Sequence, residues 1–236
     1  VLVAGGQVTL NDGDGDGVAV SAQGSAHVLI DANSGDLQIN SDIQSETGHI
    51  TLKAAEGLEL NTGADIRTST GGTISLQAKG GALSMAAEAS VSATQSSARL
   101  SGHTGVTLGK VTANSVSVVA QTGAIVSAEG SQKNVTAKQL RLQADDAVGA
   151  PGRHLKTEVE RMSVYSAGTD TGGVYLSEDS AVTVDSVSVE VSEFSASAQT
   201  AEVMDASQSD VVSENNGHIV LVAGGQVTLN DGDGDG

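Results

Sequence analysis

The chain contains no cysteine and no tryptophan, and its 236 residues include one phenylalanine, two tyrosines and one proline. The absence of cysteine excludes a disulfide framework and a cysteine-ligated zinc site. The near absence of aromatic side chains argues against an ordinary globular core and against an aromatic-lined ligand pocket. The apolar content is aliphatic instead, and it is too regularly placed for a disordered chain.

Basic residues are also few, since 11 Lys and Arg stand against 29 Asp and Glu, for a formal net charge of −18. Nucleic acids and anionic membranes are polyanions that would repel this chain, so neither is expected as a partner. The sequence has no apolar run of about 18 residues, so no membrane span is expected.

A long repeat joins the two ends of the sequence. Residues 1–17 read VLVAGGQVTLNDGDGDG and recur without change at residues 220–236, so the offset from residue 1 to residue 220 is 219 residues. Self-similarity at a fixed offset is typical of repeat architectures. We therefore predict that residues 1–219 are one repeat unit and that residues 220–236 begin the next identical unit. Because the chain does not start with Met, we expect an internal part of a longer protein.

A shorter period of 19–25 residues lies inside the long one, carried by apolar-x-apolar pairs. The first series consists of Val8/Leu10, Val28/Ile30, Ile50/Leu52, Ile74/Leu76 and Ala98/Leu100. The second series consists of Val18/Val20, Leu37/Ile39, Leu58/Leu60, Leu83/Met85 and Val106/Leu108. A third series of single residues consists of Ile43, Ile66, Val91 and Val111.

Apolar-x-apolar is the period of a strand that buries one face. Three short strands per period predict an all-β, three-faced solenoid in which equivalent strands of successive coils pair in parallel. With about 21 residues per coil, one unit forms about ten coils, a rod on the order of 50 Å long at a strand spacing of ~4.8 Å. A two-sheet sandwich would need hairpin signals that are scarce here, and the Gly, Val, Thr and Ser content opposes helices.

The pattern loosens at residues 144–174, which hold Pro151 and the basic residues Arg153, Lys156 and Arg161. We predict a coil with a longer corner or a small protruding loop there. A binding loop is the alternative interpretation, because loops carry function more often than the scaffold does.

Two segments carry a family resemblance: GDLQINSDIQSETGHITLKAAEGLELNTGADIRTSTGGTISLQA and DDAVGAPGRHLKTEVERMSVYSAGTDTGGVYLSEDSAVTV. They resemble the shaft of filamentous-haemagglutinin-like adhesins and of giant bacterial β-strand-repeat surface proteins. The resemblance covers most of the chain and implies a right-handed parallel β-helix, export to the bacterial cell surface, and a role in adhesion or as a stalk. It transfers no catalytic motif.

The sharpest local motif is the acidic corner at residues 12–17, in which Asp12, Asp14 and Asp16 alternate with glycine. Carboxylates at alternate positions match the first half of an EF-hand-type Ca²⁺ loop, but the twelfth position is Gln23 rather than a bidentate Glu. The sequence therefore offers Ca²⁺ as a possible ligand of this corner. The alternative is a solvated turn, for which Asp-Gly is favourable chemistry.

No other motif points to chemistry. The five histidines form no metal-ligand cluster, and the shared context of His49 and His218 predicts a repeated corner position. No G-x-S-x-G elbow is present. Enzymes on β-helices need clustered carboxylates, or a basic residue beside Ca²⁺, in an aromatic-lined cleft. With so few aromatic side chains, we expect no enzyme. Thr-x-Thr does not recur at the coil period, which argues against an ice-binding face.

These observations predict a rigid spacer in a long extracellular fibre or adhesin shaft, stacked end to end on identical repeats. Other fibres or a cell-surface glycan or protein are further possible partners. The alternative function is a ligand-binding module that uses the 144–174 segment to contact a glycan or a host protein.

Overall fold

The computed structural model describes residues 1–169 and 172–234, and within them it is all-β with no helix. The strands are β1 Leu2–Ala4, β2 Val8–Leu10, β3 Val18–Ala22, β4 Val28–Ala32, β5 Leu37–Ile39, β6 Asp42–Ser45, β7 Ile50–Ala54, β8 Leu58–Leu60, β9 Asp65–Thr68, β10 Ile74–Ala78, β11 Leu83–Met85, β12 Ser90–Gly102, β13 Val106–Leu108, β14 Lys110–Ala120, β15 Ile125–Ser127, β16 Val135–Ala144, β17 Leu155–Ser166, β18 Gly173–Glu178, β19 Val182–Val184, β20 Val187–Phe194, β21 Thr200–Gln208, β22 Val211–Ser213, β23 His218–Ala223 and β24 Val227–Leu229. This confirms the prediction of an all-β fold.

Strands pair in parallel with their equivalents one coil away, as a β-solenoid requires. The first ladder runs β1, β4, β7 and β10 and continues through the C-terminal parts of β12, β14, β16 and β17. The second ladder runs β2, β5, β8, β11, β13 and β15. The third ladder runs β3, β6 and β9 and continues through the N-terminal parts of β12, β14, β16 and β17.

The interior is a set of aliphatic columns. In β7, Ile50, Leu52 and Ala54 are fully buried and point inward, and they lie opposite Ile74, Leu76 and Ala78 of β10. Each Ile or Leu side chain buried in this way stabilises the fold by roughly 1.5–3 kcal/mol relative to an exposed one. The narrow interior therefore suits the aliphatic composition.

The predicted series hold from their second members onward, but their first members belong to different ladders. Val8 lies opposite Leu37 in the second ladder, and Val20 lies opposite Ile43 in the third. The cause is the acidic corner at residues 12–17, which lengthens the first coil. The step from Val8 to Leu37 is 29 residues, whereas the step from Leu37 to Leu58 is 21.

The chain leaves the solenoid once in the described residues, as the hairpin β20–β21, whose strands pair antiparallel. Before it, β19 pairs with Arg161 and Met162 of β17. After it, β22 pairs with residues 164–166 of the same strand. A single position of β17, Ser163, therefore lies opposite the insertion.

The segment at 144–174, predicted as a longer corner or protruding loop, differs from this expectation over most of its length. Its strand β17 pairs with β16 on one side and with β18, β19 and β22 on the other. Leu155, Thr157 and Val159 alternate with exposed or half-buried residues and face the interior. The turn at 149–154, which contains Pro151, and the shorter corners at 145–147 and 167–169 lie outside the ladder strands, while residues 170 and 171 lie outside the described part.

Candidate functional site

The acidic corner brings its three carboxylates together. Asp12, Asp14 and Asp16 each offer an oxygen within 4.8 Å of the other two. Asp12 already accepts backbone N–H groups inside the turn, from Gly15 at 2.7 Å and from Gly17 at 2.9 Å. These backbone hydrogen bonds fix the shape of the turn and leave both interpretations of the corner, a Ca²⁺ site and a solvated turn, as predictions.

These hydrogen bonds also change the acidity of the corner. The N–H groups of Gly17 and Gly15 favour the charged form and hold the pKa of Asp12 below its usual value. In the second copy, the N–H of Gly234 donates to Asp231 at 2.6 Å, and the hydroxyl of Ser209 donates to Asp233 at 2.7 Å. The third carboxylate of that copy, at position 235, lies outside the described residues.

The hairpin packs along the outer surface of the first ladder. Val187, Val189 and Val191 of β20 are nearly fully buried. Thr51 and Ser75 lie between inward-facing residues of β7 and β10, and so point outward, yet both are fully buried. Small outward side chains leave space for the valines, because protein interiors tolerate few voids or overlaps.

Polar contacts fix the first strand of the hairpin along several coils. The N–H of Phe194 donates to the Thr51 hydroxyl at 2.9 Å. The Thr73 hydroxyl donates to the Ser192 carbonyl at 2.8 Å and accepts the Ser192 N–H at 3.0 Å. Because Thr51 and Thr73 come from successive coils, the hairpin lies across the strands of the ladder.

Two ion pairs add to this contact. Lys53 Nζ lies 2.6 Å from Glu193, which also accepts the Ser75 hydroxyl at 2.7 Å. Burial raises the pKa of Glu193, but the hydrogen bonds from Lys53 and Ser75 outweigh burial and leave the pKa below its ordinary value. Further along the axis, Arg99 Nε lies 3.0 Å from Asp205 of β21.

A histidine stack lies under the end of the hairpin. The rings of His27 and His49 are parallel with centroids 4.9 Å apart, and the Phe194 ring lies 4.7 Å from His27. Burial, with the neighbouring His27, lowers the pKa of His49. His49 and His218 both stand at the entrance to a paired strand, His49 directly before β7 and His218 as the first residue of β23, where it lies opposite Gly173.

A basic pocket lies beside the turn at 149–154. It has a volume of about 500 Å³ and is lined in part by Ser131, Arg153, His154 and Lys156. Lys156 Nζ donates to the Ser131 carbonyl at 3.1 Å. The cations Arg153 and Lys156 outnumber the one carboxylate of the lining, Glu129, whereas the chain as a whole is strongly acidic. This local excess of positive charge favours an anionic ligand.

A buried carboxylate that could suggest catalysis is satisfied within the fold. Glu178 is 2 % exposed and accepts hydrogen bonds from the Thr157 hydroxyl at 2.7 Å and the Ser180 hydroxyl at 2.6 Å, together with the backbone N–H of Val159. Among residues 1–169 and 172–234, the acidic corner is the one group of three or more His, Asp or Glu side chains close enough to share a metal ion.

Comparison of the chain with family models, with curated proteins and with solved structures gave no match. In the part of the chain that the structure describes, no helix is long and apolar enough to cross a membrane. Sequence reasoning found the acidic corner and the basic residues Arg153 and Lys156, which the structure brings to one pocket. The third predicted basic residue, Arg161, lies elsewhere on β17 and pairs with Asp185 at 3.2 Å. Sequence reasoning missed the hairpin. The signal for the hairpin was the spacing from Val164 to Val211, 47 residues between neighbours in one ladder.

Proposed function

We propose that this chain is one repeat unit of a right-handed, three-faced parallel β-helix that acts as a rigid spacer in a long bacterial surface fibre or adhesin shaft. The unit stacks end to end on identical units, and its function comes from length and stiffness rather than from catalysis. The net charge of −18 keeps neighbouring fibres apart and soluble.

The observation that carries this proposal is how the two identical end segments bond. In the first copy, the N–H of Val8 donates to the Asp36 carbonyl and the Leu10 carbonyl accepts the N–H of Asn40, both at 2.9 Å. The backbone N–H and C=O groups of the even-numbered residues of β2, Val8 and Leu10, therefore point toward the following coil. The outer edge of β2, formed by the odd-numbered residues, faces away from it.

In the second copy, the opposite edge is used. The Gln226 carbonyl accepts the N–H of Val182 at 2.9 Å, and the N–H of Asn230 donates to the Val184 carbonyl at 3.0 Å. Gln226 and Asn230 are the counterparts of Gln7 and Asn11 in the repeat. One segment can therefore close one unit and open the next at the same time.

The end of the chain leaves apolar surface for the next coil to cover. A cavity of about 550 Å³ opens there, lined in part by Leu221, Val227 and Leu229. Leu229 is 73 % exposed, whereas its counterpart Leu10, which lies below the next coil, is 9 % exposed. In an array, the residues equivalent to Leu37 and Ile39 of the following unit fill this cavity.

Negative-stain electron microscopy of the native cell surface tests the proposal. The ladders advance eight coils from Val20 to Ala223, fewer than the ten predicted, because the hairpin takes residues out of the solenoid. We therefore expect fibres of uniform width with an axial repeat of roughly 40 Å at a strand spacing of ~4.8 Å. A purified chain of residues 1–219 followed by residues 1–236 should form a rod about twice as long as the single chain. A compact, globular particle from this two-unit chain would reject the spacer.

The second candidate function, a ligand-binding module, rests on the basic pocket. An anionic glycan or an acidic protein segment fits the positive charge of Arg153 and Lys156. Arg153→Glu should then abolish binding of the fibre to an acidic polysaccharide, whereas Arg67→Glu, on the outside of β9, should leave binding unchanged. Equal binding by both variants, or unchanged adhesion after deletion of residues 149–154, would reject this role.

A further inference from the structure

We infer that the strand ladders change sides at each joint between units, so that the hairpins of successive units lie on opposite sides of the fibre. This inference rests on the proposed stacking of identical units and specifies how one unit is rotated against the next. It follows from the different neighbours that the two copies of the end segment have.

In the first copy, Leu2 begins the first ladder, because it lies opposite Ile30 of β4. In the second copy, the equivalent Leu221 lies opposite Leu176 of β18, and Leu176 lies opposite Leu155. Leu155 belongs to the part of β17 that continues the third ladder. The first ladder of the next unit therefore starts above the third ladder of this one.

The strand β18 shows how the second ladder comes to share one side of the solenoid with the third ladder. Val148 extends the second ladder by its bridge to Ile125, and it also bridges to Val174 of β18. Two residues further on, Leu176 pairs with Leu155 in the third ladder. The coil below separates Val148 from Leu155 by the turn at 149–154, whereas β18 crosses the same distance as one straight strand. At this level, the second and third ladders therefore lie on one and the same side of the solenoid.

The side of the solenoid that carries the first ladder divides into two strands at the same level. In β17 it is one continuous stretch, residues 161–166, which pairs throughout with β16. In the next coil this stretch faces two strands, β19 and β22, with the hairpin leaving between them. The strand β24 then lies on β19, with Val227 opposite Val182. Since β24 is the counterpart of β2, the second ladder of the next unit starts above the first ladder of this one.

Merging two sides and dividing the third rotates the cross-section. The next unit's first ladder, which is the surface that its hairpin covers, starts on the side away from the hairpin of this unit. Successive units are therefore related by roughly half a turn about the fibre axis, because the twist of a solenoid is the rotation accumulated over each repeat. Hairpins alternate between two sides of the fibre.

Engineered cysteine pairs in the full 236-residue chain test the change of sides, and the chain has no cysteine to interfere. Thr183 lies opposite Thr228, so Thr183→Cys with Thr228→Cys should form a disulfide in air, since neighbouring strands lie within disulfide range. If the ladders kept their sides, β23 would lie on β22 instead. The control pair Val212→Cys with Val222→Cys would then form the disulfide.

We expect complete crosslinking of the Thr183/Thr228 pair and at most background crosslinking of the control pair. The opposite result, or no crosslinking of either pair, would overturn the change of sides. Neither result would contradict the proposed spacer function, because that function is tested separately by the length of the rod that the two-unit chain forms.

The alternation itself is tested on the same two-unit chain. Met204 of β21 is 62 % exposed, so Met204→Cys in both units can carry a maleimide-gold label. Electron micrographs should show the two labels on opposite edges of the rod. Labels on one edge would overturn the rotation even if the rod has the expected length.

Discussion

At the scale of single residues, the ionisation of Asp12 makes the stability of the folded state depend on pH. Its folded pKa lies below the usual value because Gly17 and Gly15 donate backbone N–H groups to the carboxylate. A lowered pKa stabilises the folded state above the unfolded pKa, near 3.9, and the stabilisation is lost as pH falls through the folded value. Asp12→Asn should therefore flatten the fall of the melting temperature below about pH 4.

Melting curves between pH 2 and pH 7 measure this, with Glu129→Gln, an exposed corner substitution, as the control. A fall with the same steepness in Asp12→Asn and in the unchanged chain would contradict the assignment.

The calcium hypothesis for Asp12, Asp14 and Asp16 stays a prediction. An ion that binds only the folded state at 100 times its dissociation constant stabilises by about 2.7 kcal/mol. Calorimetry in millimolar Ca²⁺ and in EDTA should then give different melting temperatures, and Asp14→Asn should remove most of the difference. An unchanged melting temperature would leave the solvated turn as the explanation.

Glu193 tests the attachment of the hairpin. Glu193→Gln removes the charge that faces Lys53 but keeps an acceptor for the Ser75 hydroxyl, so we expect a loss of roughly 1–3 kcal/mol in unfolding free energy, typical of a charged hydrogen bond. Glu190→Gln on the same strand is exposed and should change the free energy by less than about 0.5 kcal/mol. Urea denaturation compares the two variants, and equal losses would show that the ion pair adds nothing.

At the scale of elements, the hairpin is separable from the solenoid. Val184 lies opposite Met162 and Val211 lies opposite Val164, so deletion of residues 186–210 leaves Asp185 to stand opposite Ser163. We expect the shortened chain to fold with its ladders intact, because the strand pairing becomes continuous. Far-ultraviolet circular dichroism and hydrogen exchange should show the β content of the ladders, and loss of that content would mean that the hairpin is needed for folding.

The elements also mark where sequence patterns stop being informative. Columns such as Ile50 and Ile74 were predictable, because a parallel ladder needs the same apolar spacing in each coil. The valines at 187, 189 and 191 have that same period-two spacing, but they bury against the outside of the first ladder. Periodicity reports that a face is buried and does not report what covers it, so the hairpin and the position of the acidic corner in the first coil needed coordinates.

At the scale of the whole molecule, the two copies of one sequence provide an internal comparison. The N–H of Val8 is hydrogen-bonded to the next coil, whereas that of its counterpart Val227 lies on the open edge. Because their intrinsic exchange rates are equal, amide exchange measured by NMR should be slower at Val8 than at Val227 by at least tenfold, a difference of about 1.4 kcal/mol in opening free energy. In the two-unit chain, Val227 should become as protected as Val8, and equal rates in the single chain would contradict the open edge.

In the proposed fibre, the hairpin bound along the first ladder would have a mechanical consequence. Strand hydrogen bonds run along the fibre axis, so tension peels coils apart one at a time, and each released coil of about 22 residues lengthens the chain by roughly 70 Å where it occupied ~4.8 Å. The hairpin spans the interfaces between several successive coils. These coils can separate only if the hairpin slides along them, so the contacts of the hairpin are pulled in shear. If the proposed fibre exists, we expect it to yield in steps under tension, with the covered coils the last part of each unit to extend.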